Sequence, residues 1–237
     1  MKTTPMTEHN DSAINLLVAS SVHDIKNSLS MLLQTLEDVV RGTPDQSDDL
    51  RRQFATLQGE AVRINNDLMY FLGLYRLGNN QLPLQIESVY VSELLQEQML
   101  NNALLFEIRN LSLSIDCDDA LTGYFDPTLI GGILNNVLVN AARYAAQSVA
   151  ISARKVEGML VIDVRDDGPG YPEKMLRYSS DTASSNNRGI DFNTGSTNLG
   201  LYFAAQVAAL HRRGDTHGHI RLSNAAEGGG CFQLYLP

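Results

Sequence analysis

An α+β protein is what this sequence predicts: an N-terminal helical hairpin that pairs with a second copy into a dimeric four-helix bundle, followed by a two-layer α/β sandwich. Three observations predict it. Apolar residues near the N-terminus step by four and three along two long segments, as the seam of a bundle helix does. The pattern breaks at residues 78–83, GNNQLP, a short stretch of turn-forming residues that reads as a linker. Beyond it, helix-like runs stand beside strands that are mostly antiparallel, the arrangement of a helical layer on a sheet. The expected domains are residues 11–78 and 84–237.

In the first domain, Val18, Val22, Ile25, Leu29, Leu32, Leu36 and Val39 lie 4, 3, 4, 3, 4 and 3 apart, and Gly42 and Pro44 end the run. After a polar turn, with Ser47 or Asp48 as N-cap, the same spacing recurs in Leu50, Phe54, Leu57, Ala61, Ile64, Leu68, Phe71 and Tyr75. Two such helices cannot enclose their own apolar stripes, because each stripe faces one partner at most. Pairing two hairpins encloses them, so a homodimer is expected.

In the second domain, Ser92 to about Arg109 has helical character and Leu111 to Asp116 alternates like a strand. A helix from Pro127 to Ala146 begins on Asp126 as cap with proline at its first position. Val149 to Arg154 and Met159 to Asp166 read as a strand pair turning at Glu157-Gly158. Leu199 to His211 is helical again. Ile220 to Ser223 and Cys231 to Leu236 are two closing strands around the glycines 228–230.

Composition bounds the partners. The chain has 237 residues, 43% of them hydrophobic, which suffices for real cores. A net charge of -9 argues against a nucleic-acid partner or an anionic bilayer. Cys117 and Cys231 form no paired pattern, no signal peptide profile opens the chain, and no apolar run approaches the ~20 residues that span a bilayer. The expectation is a cytoplasmic protein without membrane insertion.

Four stretches carry chemistry: HDIKNSL from His23, NNVLVNAARY from Asn135, DDGPG from Asp166 and GSTNLGL from Gly195. His23 follows the seam residue Val22, so its ring projects from the bundle flank, where a neutral imidazole nitrogen is a nucleophile near neutral pH. Asp24 is the candidate to hold the other ring N–H. Asn27, one turn on, shares the face of His23 and can orient a water or a phosphoryl oxygen. Asn136 and Asn140 share a face of their helix, with Arg143 and Tyr144 on the next turn. Mg2+ wants oxygen ligands and keeps waters and phosphates, so one amide carbonyl at Asn140 is a sufficient protein share. Arg143 suits phosphate oxygens, and Tyr144 can lie against a base. Asp166 can accept an adenine amino proton, while Gly168 and Gly170 let backbone approach the ring. The stretch from Gly195 opens a helix whose free N–H groups suit a triphosphate. The blander alternatives are a surface histidine, an asparagine pair bonding backbone and an ordinary tight turn. A metal site at His211, His217 and His219 is also conceivable from spacing, but no carboxylate or thiol cluster completes it.

In this order and spacing the four stretches resemble the core of a sensor histidine kinase, from about Asp11 to Pro237. The resemblance implies a phosphoacceptor and dimerisation hairpin followed by an ATP-binding domain of the Bergerat type. It implies phosphorylation of His23, assistance by Asp24, and a phosphatase role for Asn27. It implies ATP as cosubstrate, with Asn136, Asn140, Arg143 and Tyr144 around the nucleotide, and Mg2+ at Asn140. Asp166, Gly168 and Gly170 fall to adenine, and Gly195, Thr197, Leu199 and Gly200 to the phosphates. The implied partner is the receiver domain of a response regulator, whose aspartate takes the phosphoryl group.

Three positions depart from the family pattern. Ser28 stands where proline is usual, Asn198 replaces a glycine, and residues 171–194 lack the usual phenylalanine pair, offering Tyr178 and Phe192. Asn198 and the segment 171–194 favour, as a second reading, a non-catalytic dimer that docks a receiver domain. A third, the water-activating ATPases and serine kinases of the same fold, is disfavoured because Asn136 stands where they carry a glutamate base. The residues before Asp11 are too few for a sensor, so the stimulus is expected from a separate input protein or from sequence outside this chain.

Overall fold

The computed structural model describes residues 25, 27, 28, 31, 35, 57, 64, 67–79, 82–176 and 197–237, with Thr197 and Asn198 described in backbone only. The chain divides into two compact units, Met1–Leu82 and Pro83–Pro237. Most of the N-terminal hairpin expected from the sequence lies outside the described residues.

In the first unit the described residues 25, 27, 28, 31, 35, 57, 64 and 67–78 are helical. Leu57, Ile64 and Phe71 recur at intervals of seven, and all three are largely exposed, at 55%, 43% and 49%. Tyr70 and Leu72 are buried, and burial, with the charge of Asp67 adding, pushes the Tyr70 hydroxyl well up.

The second unit is the expected two-layer sandwich. Its elements run β1 (Glu87–Tyr90), α1 (Val91–Ile108), β2 (Ser112–Cys117), β3 (Thr122–Phe125), α2 (Pro127–Tyr144), β4 (Ser148–Val156), β5 (Met159–Asp166), α3 (Glu173–Leu176), α4 (Thr197–Leu210), β6 (Arg212–Arg213), β7 (Thr216–His217), β8 (His219–Asn224) and β9 (Gly230–Leu236). Five strands form the main sheet in the order β2-β4-β5-β9-β8. Only β2 and β4 are parallel; the other neighbours are antiparallel.

Alternation explains the layers. Ile151 and Ala153 of β4, Leu160, Ile162 and Val164 of β5, Phe232, Leu234 and Leu236 of β9, and Ile220 and Leu222 of β8 are all buried. Against them lie Ile130, Ile133, Leu134, Val137 and Leu138 of α2 and Leu201, Ala204, Val207 and Ala208 of α4, also buried. Each large side chain placed there contributes about 1.5–3 kcal/mol of apolar burial. The opposite face presents Arg154, Arg165 and Arg221, with Asp163 covered by hydrogen bonds from Arg154 and Gln233.

Turns follow local chemistry. The β4–β5 hairpin closes on Glu157 at φ 51 and Gly158 at φ 83, the left-handed pair that a two-residue hairpin turn requires. A four-residue ladder of β1 with β3 was not expected from sequence. Gly123 belongs to it because a Cβ there would lie 2.7 Å from Leu160 Cδ2. Nor were the short helix α3 and the β6–β7 pair expected.

Candidate functional site

Helix α2 is the spine of the site. Asp126 caps it, accepting from the Leu129 N–H at 3.0 Å, and Pro127 follows. The Asp126 carboxylate also accepts from Gln85 N–H, and the Asp126 N–H donates to His211 Nε2 at 3.1 Å. The other ring nitrogen of His211, Nδ1, donates to Val207 O at 2.9 Å. Both nitrogens of this buried ring are therefore engaged, and burial holds its pKa below the ordinary histidine value. His211 ties α4 to the start of α2 and is no metal ligand. Among the described residues no group of three or more His, Cys, Asp or Glu side chains gathers.

Two turns further on the helix changes character. Asn136 is 7% exposed, its Oδ1 accepts from Asn140 Nδ2 at 3.3 Å, and its own Nδ2 is buried without an acceptor. Gly200, in the first turn of α4, lies against this amide: a Cβ there would fall 2.3 Å from Asn136 Nδ2. The pair brings α2 and the opening of α4 together. Since Asn140 Nδ2 is turned to Asn136, the Asn140 carbonyl oxygen is the end of that amide with no hydrogen bond among the described residues.

The end of β5 supplies the second wall. Asp166 Oδ1 accepts from Gly168 N–H at 2.9 Å and Gly230 N–H at 3.3 Å, so its carboxylate is fixed by a local turn and by the β8–β9 hairpin. Its Oδ2 stands beside Gly230, where a Cβ would fall 2.8 Å from it and 3.0 Å from the Tyr171 ring. Gly168 packs on the end of α2: a Cβ would lie 2.3 Å from Tyr144 O. Gly170, at φ 79, faces the Asn224 amide, which accepts from Tyr171 N–H at 2.7 Å and donates to Tyr171 O at 2.8 Å. Burial, with the charge of Asp166 adding, raises the Tyr171 hydroxyl.

Of the residues read from sequence, Asn136, Asn140 and Gly200 meet between α2 and α4, and Asp166, Gly168 and Gly170 lie in the turn after β5, whose Gly168 packs on the end of α2; Leu199 is half-buried beside Gly200. Arg143 is half-buried and Tyr144 is 48% exposed at the end of α2. Thr197 opens α4; its side chain, and Gly195, lie outside the described residues. So do His23 and Asp24, while Asn27 is helical and exposed in the first unit.

Sequence reasoning missed three contributors. Asp167 accepts from the N–H groups of Ala146, Gln147 and Ser148 and from Ser148 Oγ. Those amides would otherwise continue the helix, which is why α2 stops at Tyr144 rather than reaching Ala146. The N–H of Gln147 above all, then those of Ser148 and Ala146, holds the Asp167 carboxyl down to about 2. Asn224 and Gly230 were the other two; glycines at 228–230 marked a hairpin, but nothing in the sequence said what it would touch.

The donor set fits a magnesium nucleotide. A buried amide donor without an acceptor calls for oxygen atoms, a free amide carbonyl suits a hard cation that keeps its waters and phosphates, and a carboxylate oxygen beside glycine backbone suits a flat ring with an amino group.

Comparison with known proteins finds similarity to histidine kinases and related ATPases. Residues 125–237, within the second unit, match the family described as histidine kinase-, DNA gyrase B- and HSP90-like ATPase. The chain is similar to the sensor histidine kinase TmoS of Ectopseudomonas mendocina, 24% identical over 231 residues, covering 96% of this chain and 23% of TmoS. It is similar to the signal transduction histidine-protein kinase AfsQ2 of Streptomyces coelicolor, 32% identical over 126 residues, covering 53% of this chain and 22% of AfsQ2. The chain thus spans less than a quarter of the length of these relatives. Full-length ShkA, solved in complex with AMPPNP, shares the fold with a TM-score of 0.62 over 93% of this chain and 45% of ShkA, at 19% identity.

Proposed function

We propose that this chain is the ATP-dependent kinase core of a two-component sensor, which phosphorylates His23 and passes the group to a response-regulator aspartate. Two observations support the reading: Asn136, Asn140 and Gly200 meet between α2 and α4 with a buried amide donor left unsatisfied, and the turn carrying Asp166 and Gly168 packs on the end of the same helix α2. In this reading Asp166 Oδ2 accepts from the adenine amino group, with Gly168 and Gly170 giving the ring room. Asn136 and the first turn of α4, including Gly195, Thr197, Leu199 and Gly200, take the phosphates, with Arg143 and Tyr144 at the margin. Mg2+ held by the Asn140 carbonyl neutralises phosphate charge when bound.

A neutral ring nitrogen of His23 attacks the γ-phosphorus in line as the bond to ADP breaks; Asp24 holds the other ring N–H, and positioning and charge neutralisation do most of the catalysis. Asn27 orients the water that returns the regulator to its unphosphorylated state. Two copies pair through the stalk, a reading supported by the apolar residues Leu57, Ile64 and Phe71 that a single copy leaves exposed at heptad spacing. No helix among the described residues is long and apolar enough to cross a membrane. We place the chain in the cytoplasm, its stimulus arriving through a separate input protein or sequence beyond this chain.

Incubation with γ-labelled ATP tests the reading. The label should be acid-labile and base-stable, His23→Ala should abolish it while sparing nucleotide affinity, and Asn140→Asp or Asp166→Ala should lose nucleotide affinity. Acid-labile label on the His23→Ala protein would overturn the assignment. Nucleotide binding with no label on the wild-type chain would favour the non-catalytic docking dimer, to which Asn198 leans.

A further inference from the structure

We infer that Asp167, whose carboxylate bonds the backbone that follows α2, is a positioning residue for adenine recognition, locking the loop that carries Asp166 and Gly168 to the end of α2. The inference rests on the nucleotide reading above and adds to it a residue with no place in the cradle itself.

The geometry is that of a clamp. One carboxylate gathers four donors: Ala146 N–H at 2.8 Å, Gln147 N–H at 3.0 Å, Ser148 N–H at 2.9 Å and Ser148 Oγ at 3.0 Å. These donors belong to the turn between α2 and β4 and to Ser148, the first residue of β4, about twenty residues upstream in sequence. The same turn is held from its other side by Ser112, whose N–H donates to Gln147 O at 2.9 Å. Asp167 therefore fixes its own backbone to a turn that is itself anchored in the sheet.

That backbone is flanked by the two residues that meet the base. Asp166 precedes it and Gly168 follows, with Gly168 packed so closely on Tyr144 O that no Cβ fits between them. Charge-assisted bonds to backbone N–H are about twice as strong as neutral ones, so releasing this carboxylate frees both neighbours at once. An exposed carboxylate that served only to stop a helix would need a single donor; four donors specify where the loop stands.

Base discrimination separates positioning from plain stabilisation. Binding of MgATP and MgGTP to the whole chain would be measured by calorimetry well below the melting temperature of each variant. Asp167→Ala should weaken MgATP about tenfold, the loss expected when charge-assisted bonds that pre-set a loop are removed, while MgGTP stays nearly unchanged. Asp167→Asn, which keeps one acceptor oxygen and guards against a misfolded alanine variant, should fall between alanine and wild type. Equal weakening of both nucleotides, or a lower melting temperature with MgATP affinity intact, overturns the inference. A wild-type chain that binds no MgATP overturns instead the nucleotide reading beneath it.

Discussion

The two halves of α2 treat buried polar groups in opposite ways. At its start, Asp126 and His211 are buried and satisfied: the carboxylate accepts two N–H groups and the ring uses both nitrogens. Farther along, Asn136 is buried too, yet its Nδ2 has no acceptor and presses against a glycine. Folding alone favours the first arrangement, because an orphaned buried donor costs about 1–3 kcal/mol. The contrast separates scaffold from site within one helix, and substitutions at the two ends should behave differently.

The largest effect is expected at His211. His211→Ala leaves the Asp126 N–H and Val207 O unpaired and opens a void, and should destabilise the domain by about 2–4 kcal/mol in chemical denaturation. Gly200→Ala comes next: the new Cβ displaces the Asn136 amide, so stability should drop by about 1–3 kcal/mol and nucleotide affinity with it. Asn136→Leu should depart from both, holding or raising stability by about 1 kcal/mol while nucleotide binding is lost. If it destabilises as His211→Ala does, the two ends of α2 are alike and the contrast fails. The smallest effect is a pH dependence. With Asp167 held at about 2, its contribution is whole above about pH 4, the ordinary carboxylate range, and is lost as pH falls through 2. The melting-temperature gap between wild type and Asp167→Asn should therefore be widest near neutrality and close as pH approaches 2.

The same contrast explains what was legible in the sequence. The start of α2 announces itself through Asp126, Pro127 and apolar residues at helical spacing, all local signals. Asn136, Asn140, Asp166 and the glycines at 168 and 170 stand out because their spacing is local too. What escaped depends on residues far apart: His211 reaching Asp126, Asn224 pairing with the Tyr171 peptide, and Asp167 gathering the turn after α2. The β1–β3 ladder escaped for a related reason, since ESVY and TGYF are four residues each and find one another across α1 and β2. A short strand carries too few alternations to declare a period.

Parallel pairing of β2 with β4 has a mechanical consequence for the helix that presents Asn136 and Asn140. To lie side by side in the same direction, the two strands need a connection that travels back along the sheet, and α2 is the long element in it. It is woven between neighbours rather than hinged at one edge, so it cannot swing outward as a flap without tearing the register of both strands. Any excursion that carries the cradle toward an acceptor must move the whole sandwich as one piece.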